Sequence, residues 1–177
     1  MGAPNSGTAA DAEIILNAHG ITFGDIKADF LSFNEVAQRL IDGQIDAGFT
    51  TAGFPTSSII NIATKRDIVL VPMSAEKINQ LVEAIPYYGA TVIPGGLYKG
   101  VDEDVPALAT PALWICDAKL SPTVVYKMTK ALWENRDVLE KVHSQGKNIT
   151  LETALDGIGI PLHPGAELYY KEVGLIQ

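Results

Sequence analysis

The chain has 177 residues, of which 47% are hydrophobic and 19% are charged, and its 13 basic and 21 acidic residues give a net charge of −8. This composition is that of a globular protein with a sizeable core and excludes disordered and fibrous classes. The net negative charge argues against nucleic acid or an anionic membrane as a partner, because binding to either requires a concentrated basic patch on the protein.

The chain opens with a loop of small residues, 2–8, that runs into a helical pattern over residues 9–19. Its two glycines allow tight turns and a close approach to a ligand, and Ser6 and Thr8 place hydroxyls beside the free amides of a helix start. The loop is a candidate anion site, with simple capping of the helix by Ser6 as the alternative. Thr8 stands where a phosphate-binding loop of NTPases needs lysine, so a nucleotide site is excluded.

Helical and strand-like segments alternate as far as residue 93. Helices are predicted to begin at the Ser32–Glu35 capping box, at about Thr56 and at Ser74. Strands are predicted over residues 27–31, 45–50, 68–71 and 88–93. This alternation is typical of βαβ units, and it predicts an α/β fold with a parallel sheet that places ligands at the carboxyl ends of its strands.

A second small-residue loop follows the predicted strand at 45–50 and contains Thr50, Thr51 and Gly53. Because it lies at the end of a strand and before a helix, we expect it to converge with the opening loop. Tyr88 begins the last of these strands, where its ring and hydroxyl either line a binding site or pack at a boundary.

The composition of the sequence changes after Pro94, where two glycines and an acidic turn indicate a boundary between lobes. Extended segments are predicted over residues 105–116, and helices over 121–135, 136–144 and 164–173. Cys116 is the only cysteine, so no internal disulfide forms, and its apolar surroundings predict a buried structural thiol.

No residue set in the sequence indicates catalysis, a metal or a cofactor. The three histidines, His19, His143 and His163, are far apart and have no metal-ligand spacing. A hydrolase that uses Ser6 as nucleophile remains an alternative function, although no base is evident for it.

Several blocks, in order, resemble the TAXI-type solute-binding subunits of TRAP transporters, which supply a sodium-driven permease. They read GAPNSGTAADAEIILNAHGI, LSFNEVAQRLIDGQIDAGFTTAG, IPYYGATVIPGGLYKGVDEDV, LSPTVVYKMTKALWEN and ALDGIGIPLHPGAELYYKEVGL. Together they cover nearly the whole chain.

The resemblance implies a type II periplasmic-binding-protein-like fold with a parallel or mixed sheet flanked by helices. Residues 1–93 would form the second lobe, and residues 94–177 the hinge return, part of the first lobe and the C-terminal helices. The chain would then be the carboxyl-terminal portion, without its signal peptide and most of the first lobe. An apolar face left uncovered would favour a homodimer of this fragment.

The resemblance also implies a non-enzymatic, periplasmic receptor for glutamate, glutamine or a 2-oxoglutarate-like acid, with a TRAP permease as partner. A stand-alone ligand-sensing regulatory module is a further alternative. The ligand-binding residues expected at the cleft are Asn5, Ser6, Gly7, Thr8, Thr50, Thr51, Gly53 and Tyr88.

Overall fold

Seven α-helices and one two-stranded sheet form the secondary structure. The computed structural model describes residues 1–177 in two compact units, residues 1–109 and residues 110–177. The first unit contains α1 (Gly7–Ala18), α2 (Phe33–Ile41), α3 (Ser57–Lys65), α4 (Ala75–Ala84), β1 (Gly89–Ile93) and β2 (Val105–Ala109). The second contains α5 (Pro122–Glu134), α6 (Arg136–Val142), a short 3₁₀ helix (Ser144–Asn148) and α7 (Pro164–Glu172).

Four of the seven helices, α1, α2, α4 and α7, begin after a residue whose side chain accepts a hydrogen bond from an amide of the first turn. The Ser32–Glu35 capping box is complete, with the Glu35 carboxylate accepting the Ser32 amide at 2.8 Å. The Ser74 hydroxyl likewise accepts the Lys77 amide at 3.3 Å at the start of α4. Gly43 follows α2 at φ +70°, a conformation that side chains rarely adopt. The predicted helices are therefore confirmed, because their end signals are local.

The predicted parallel sheet is not what the chain forms. The one sheet pairs β1 with β2 in antiparallel register, from Gly89 opposite Ala109 to Ile93 opposite Val105. Residues 27–31, 45–50 and 68–71 form no strand. A strand exists only through hydrogen bonds to a neighbour, and an apolar run does not say whether a neighbour is present.

Residues 68–71 show how a strand-like sequence pattern can occur without strand pairing. Their side chains alternate in burial as a strand would, with Val69 and Val71 83% and 82% exposed. The only backbone bond from this region to the sheet runs from the Met73 amide to the Pro106 carbonyl at 3.1 Å. The mixed α/β character is present, whereas the parallel strand pairing is absent.

The core of the first unit lies between α3 and the loop after β1. Its buried members are Ala63, Tyr98, Val101 and Val105, against which Ile59, Ile68, Leu70, Ile93 and Leu97 pack. The Tyr98 hydroxyl accepts the Thr56 amide at 2.9 Å and so anchors the second small-residue loop to this core. The hairpin of β1 and β2 spans residue 94, and the two compact units divide after residue 109. The lobe boundary near residue 94 stays a prediction.

In the second unit α5 packs on α7 through aromatic rings and a charged group. The rings of Tyr126 and Tyr169 lie 6.1 Å apart, and the Lys130 ammonium lies 3.1 Å from the Glu172 carboxylate. The Tyr126 hydroxyl donates a hydrogen bond to the same carboxylate. The bonds of Glu172 to Tyr126 and Lys130 therefore link α5 to α7 at the solvent-exposed edge of their interface.

Cys116 is exposed, so the prediction of a buried thiol is wrong. The whole run at residues 111–120 is exposed, including Trp114 at 63% and Ile115 at 69%. Apolar residues are buried only where another element packs over them, and none does so here.

The Glu172 contacts predict a defined dependence of stability on pH. The Tyr126 hydroxyl and then the Lys130 ammonium lower the pKa of Glu172 from its ordinary 4.5. Because the folded state favours the ionised carboxylate, this stabilisation is complete above pH 4.5 and is lost as the pH falls through the lower pKa of the folded state. We expect Glu172→Gln to destabilise the protein near pH 7 and to have a progressively smaller effect below pH 4.5, as measured by urea unfolding at a series of pH values.

Tyr126→Phe should show the same trend in weaker form, since it removes the first of the two contacts. An effect of Glu172→Gln that is equal at all pH values would contradict this account.

Candidate functional site

The opening loop makes a tight turn and then caps α1. The Ser6 amide donates to the Ala3 carbonyl at 3.1 Å, with Pro4 and Asn5 between them, and Asn5 has φ +60°. Proline followed by a residue of positive φ is the pattern of a type II turn, which asparagine tolerates. The Ser6 hydroxyl accepts the Ala9 amide at 3.2 Å and is the N-cap of α1. Ser6 therefore caps the start of α1, which is the alternative that the sequence leaves open for this residue.

The start of α1 leaves backbone amides without a partner. The N–H groups of Gly7 and Thr8 have no acceptor in the chain, as is usual at a helix start, and Gly7 is exposed. The Thr8 side chain is buried, and a Cβ added at Gly2 would lie 2.5 Å from the Thr8 Cβ. Gly2 thus allows Thr8 to pack inward, and the backbone of this loop, rather than the Thr8 hydroxyl, faces outward.

A single carboxylate joins three segments that are far apart in the sequence. The Thr51 hydroxyl donates to one oxygen of Asp11 at 3.0 Å. The Tyr88 hydroxyl donates to the other oxygen at 2.7 Å. Asp11 lies on α1, one turn after the opening loop, so the structure brings the opening helix, the second loop and Tyr88 together at this side chain.

Tyr88 forms the inner side of this cluster. The residue is 5% exposed, and its ring meets the ring of Tyr87 edge-on at 4.8 Å between centroids. Burial, followed by the hydrogen bond to the Asp11 carboxylate, raises the pKa of the Tyr88 hydroxyl well above its ordinary 10.0. The hydroxyl therefore stays protonated and donates to Asp11 at any physiological pH.

The remaining predicted residues lie around the second loop. Thr50 is half-buried, whereas Thr51 and Gly53 are exposed. The Gly53 carbonyl accepts the Thr56 hydroxyl at 3.0 Å, which holds the loop against the start of α3. The sequence predicts the Thr51 and Tyr88 hydroxyls as site groups but misses the Asp11 carboxylate that accepts a hydrogen bond from both.

Asp11 is that missed residue, and a local signal for it exists. It lies four positions after Gly7, and residues at this spacing share a helix face. An acidic residue one helical turn after a candidate ligand loop therefore lies on the same side of the helix as the loop.

The structure assembles no base next to Ser6. The ring of His19 lies at the opposite end of α1, where its Nδ1 is 2.8 Å from the Ile15 carbonyl. The structure contains no group of three or more His, Cys, Asp and Glu side chains placed to hold a metal ion. A shallow surface depression lined by residues 63–67 and Lys99 lies at none of these site residues. None of the helices is long and apolar enough to cross a bilayer.

Hydroxyls, free amides and one carboxylate are groups that can bind a small polar molecule, so this cluster is the candidate ligand site of a mixed α/β protein. The sequence model of the NMT1-like family matches residues 1–174, and the chain belongs to this family. The NMT1-like family comprises periplasmic solute-binding receptors, which are binding proteins rather than enzymes. Membership suggests a periplasmic-binding-protein-like fold, an extracytoplasmic location, a small-molecule ligand and a membrane transporter as partner.

Proposed function

We propose that this protein is a TAXI-type solute receptor that delivers a small organic anion to a TRAP-type permease outside the cytoplasm. The ligand class is glutamate, glutamine or a 2-oxoglutarate-like acid. The observation that carries the proposal is the convergence of α1, the second loop and Tyr88 on Asp11. It gathers polar groups from three separate segments at one place, as recognition of a small polar ligand requires.

The anionic group of the ligand is bound by backbone amides. The free N–H groups of Gly7 and Thr8 at the start of α1 carry partial positive charge and suit a carboxylate oxygen. The two arginines of the first unit are already engaged, since Arg39 pairs with Asp29 at 2.8 Å and Arg66 donates to the Ile41 carbonyl at 2.7 Å. Recognition without arginine therefore fits the acidic character of the chain.

The proposed ligand contacts come from three segments. The opening loop contributes its backbone, the second loop its hydroxyls and the residue before β1 a tyrosine hydroxyl. The full set is Asn5, Ser6, Gly7, Thr8, Thr50, Thr51, Gly53 and Tyr88.

The test is isothermal titration of the protein with L-glutamate, L-glutamine, 2-oxoglutarate and succinate. We expect saturable binding of at least one of them, and Thr51→Val should weaken it because the variant removes an exposed hydroxyl from the second loop. Thr64→Val is a matched control, since the Thr64 hydroxyl donates only within α3, to the Asn61 carbonyl at 2.8 Å. The absence of binding for all four compounds would contradict the proposed ligand class.

A further inference from the structure

The Asp11 carboxylate has an uncompensated negative charge. Both of its hydrogen-bond partners, Thr51 and Tyr88, are neutral hydroxyls. The ion pairs of the protein join Arg39 to Asp29, Lys130 to Glu134 and Glu172, and Lys171 to Glu167, so no lysine, arginine or histidine neutralises Asp11. The half-buried Asp11 carboxylate is therefore hydrogen-bonded but is not paired with a cation.

The two hydroxyl bonds leave room for a further donor. An ionised carboxylate accepts about four hydrogen bonds, and Asp11 uses one at each oxygen. Tyr88 is buried and occupies the inner side, whereas Thr51 is exposed and Asp11 itself is only half-buried. The remaining lone pairs are therefore accessible from the side on which Thr51 lies.

We propose that Asp11 binds the ammonium group of the transported solute, so that the ligand is an amino acid and not an oxo acid or a dicarboxylic acid. This inference rests on the proposed receptor function and narrows its ligand class. An ammonium group supplies three donors and the missing positive charge. The carbonyl oxygen of a 2-oxo acid in the same place would face the carboxylate without a proton between them.

Matched pairs of compounds test this directly. L-Glutamate and 2-oxoglutarate differ only in the amino or oxo group, as do L-alanine and pyruvate, and L-leucine and 4-methyl-2-oxopentanoate. Titration of the unmodified protein at pH 7.5 should show the amino acid of the binding pair favoured by about ten- to hundredfold, the range expected for a hydrogen bond to a charged group.

Equal or tighter binding of the oxo acid would overturn the ammonium site and leave the receptor function standing. Failure of every compound to bind would contradict both. These two failures are therefore distinguishable in one experiment that needs no variant.

The variant Asp11→Asn distinguishes recognition of the ligand's ammonium group by Asp11 from a purely structural role of this residue. The amide keeps an acceptor oxygen for the Tyr88 hydroxyl but removes the charge, so the preference for the amino acid over the oxo acid should fall from about tenfold or more to about twofold or less. If the variant weakens both compounds by the same factor, Asp11 only holds Tyr88 and Thr51 in place and the proposal is wrong. Asp25→Asn is the matched control, because Asp25 likewise accepts a threonine hydroxyl, from Thr22 at 2.6 Å, and its replacement should leave the preference unchanged.

Discussion

Replacing Tyr88 with phenylalanine is expected to weaken ligand binding by about tenfold, equivalent to about 1.4 kcal/mol. The hydroxyl that is lost donates to Asp11 at 2.7 Å and is one of the two groups that fix the orientation of this carboxylate. Without it, the carboxylate has to be ordered when the ligand binds, and this ordering reduces affinity. The ring stays buried against Tyr87, so the shape of the site is kept.

The same change is expected to lower the free energy of unfolding by about 2 kcal/mol, because it removes a hydrogen bond to a charged acceptor. Tyr126→Phe is the matched control for ligand binding: it also removes a tyrosine hydroxyl that donates to a carboxylate, that of Glu172, but in the second unit, so it should reduce stability and leave ligand affinity unchanged. Isothermal titration and urea unfolding of both variants check the two effects. If both variants bind ligand as the unmodified protein does, Tyr88 does not belong to the site.

Replacing Gly165 with alanine is expected to lower the free energy of unfolding by about 3 kcal/mol. Gly165 lies in the first turn of α7, where a Cβ would be 2.3 Å from the Pro122 carbonyl oxygen and 2.7 Å from the Tyr126 amide nitrogen. Both are backbone atoms of α5, so relief requires the two helices to separate. Their separation would weaken the contacts between Tyr126 and Tyr169 and between Trp133 and Tyr170.

Gly159→Ala provides the control for this prediction. A Cβ at Gly159 meets nothing within 4 Å, so alanine there should change stability by no more than about 1 kcal/mol. Urea unfolding monitored by tryptophan fluorescence is suitable, since Trp133 lies on α5 and Trp114 is already 63% exposed. Equal stability of the two alanine variants would show that α5 and α7 tolerate a wider spacing than the structure has.

The position of the candidate site was partly predictable. Small residues and hydroxyls beside predicted strands indicate the two loops and Tyr88 as site candidates. The sequence predicts a parallel sheet that would bring them together, and the structure has no such sheet. The second loop and Tyr88 meet α1 at the Asp11 side chain, whose hydrogen bonds span 40 residues to Thr51 and 77 residues to Tyr88.

The sequence by itself determined the helices, the turns that end them and the broader class of solute-binding receptors. Capping by Ser32 and Ser74 and the positive φ of Gly43 depend on residues a few positions apart, so the information lies within each short segment. Strand pairing, the exposure of Cys116 and the contacts of Asp11 were decided only by the tertiary structure. Each depends on which distant segment lies alongside, and neither periodicity nor local composition encodes that neighbour.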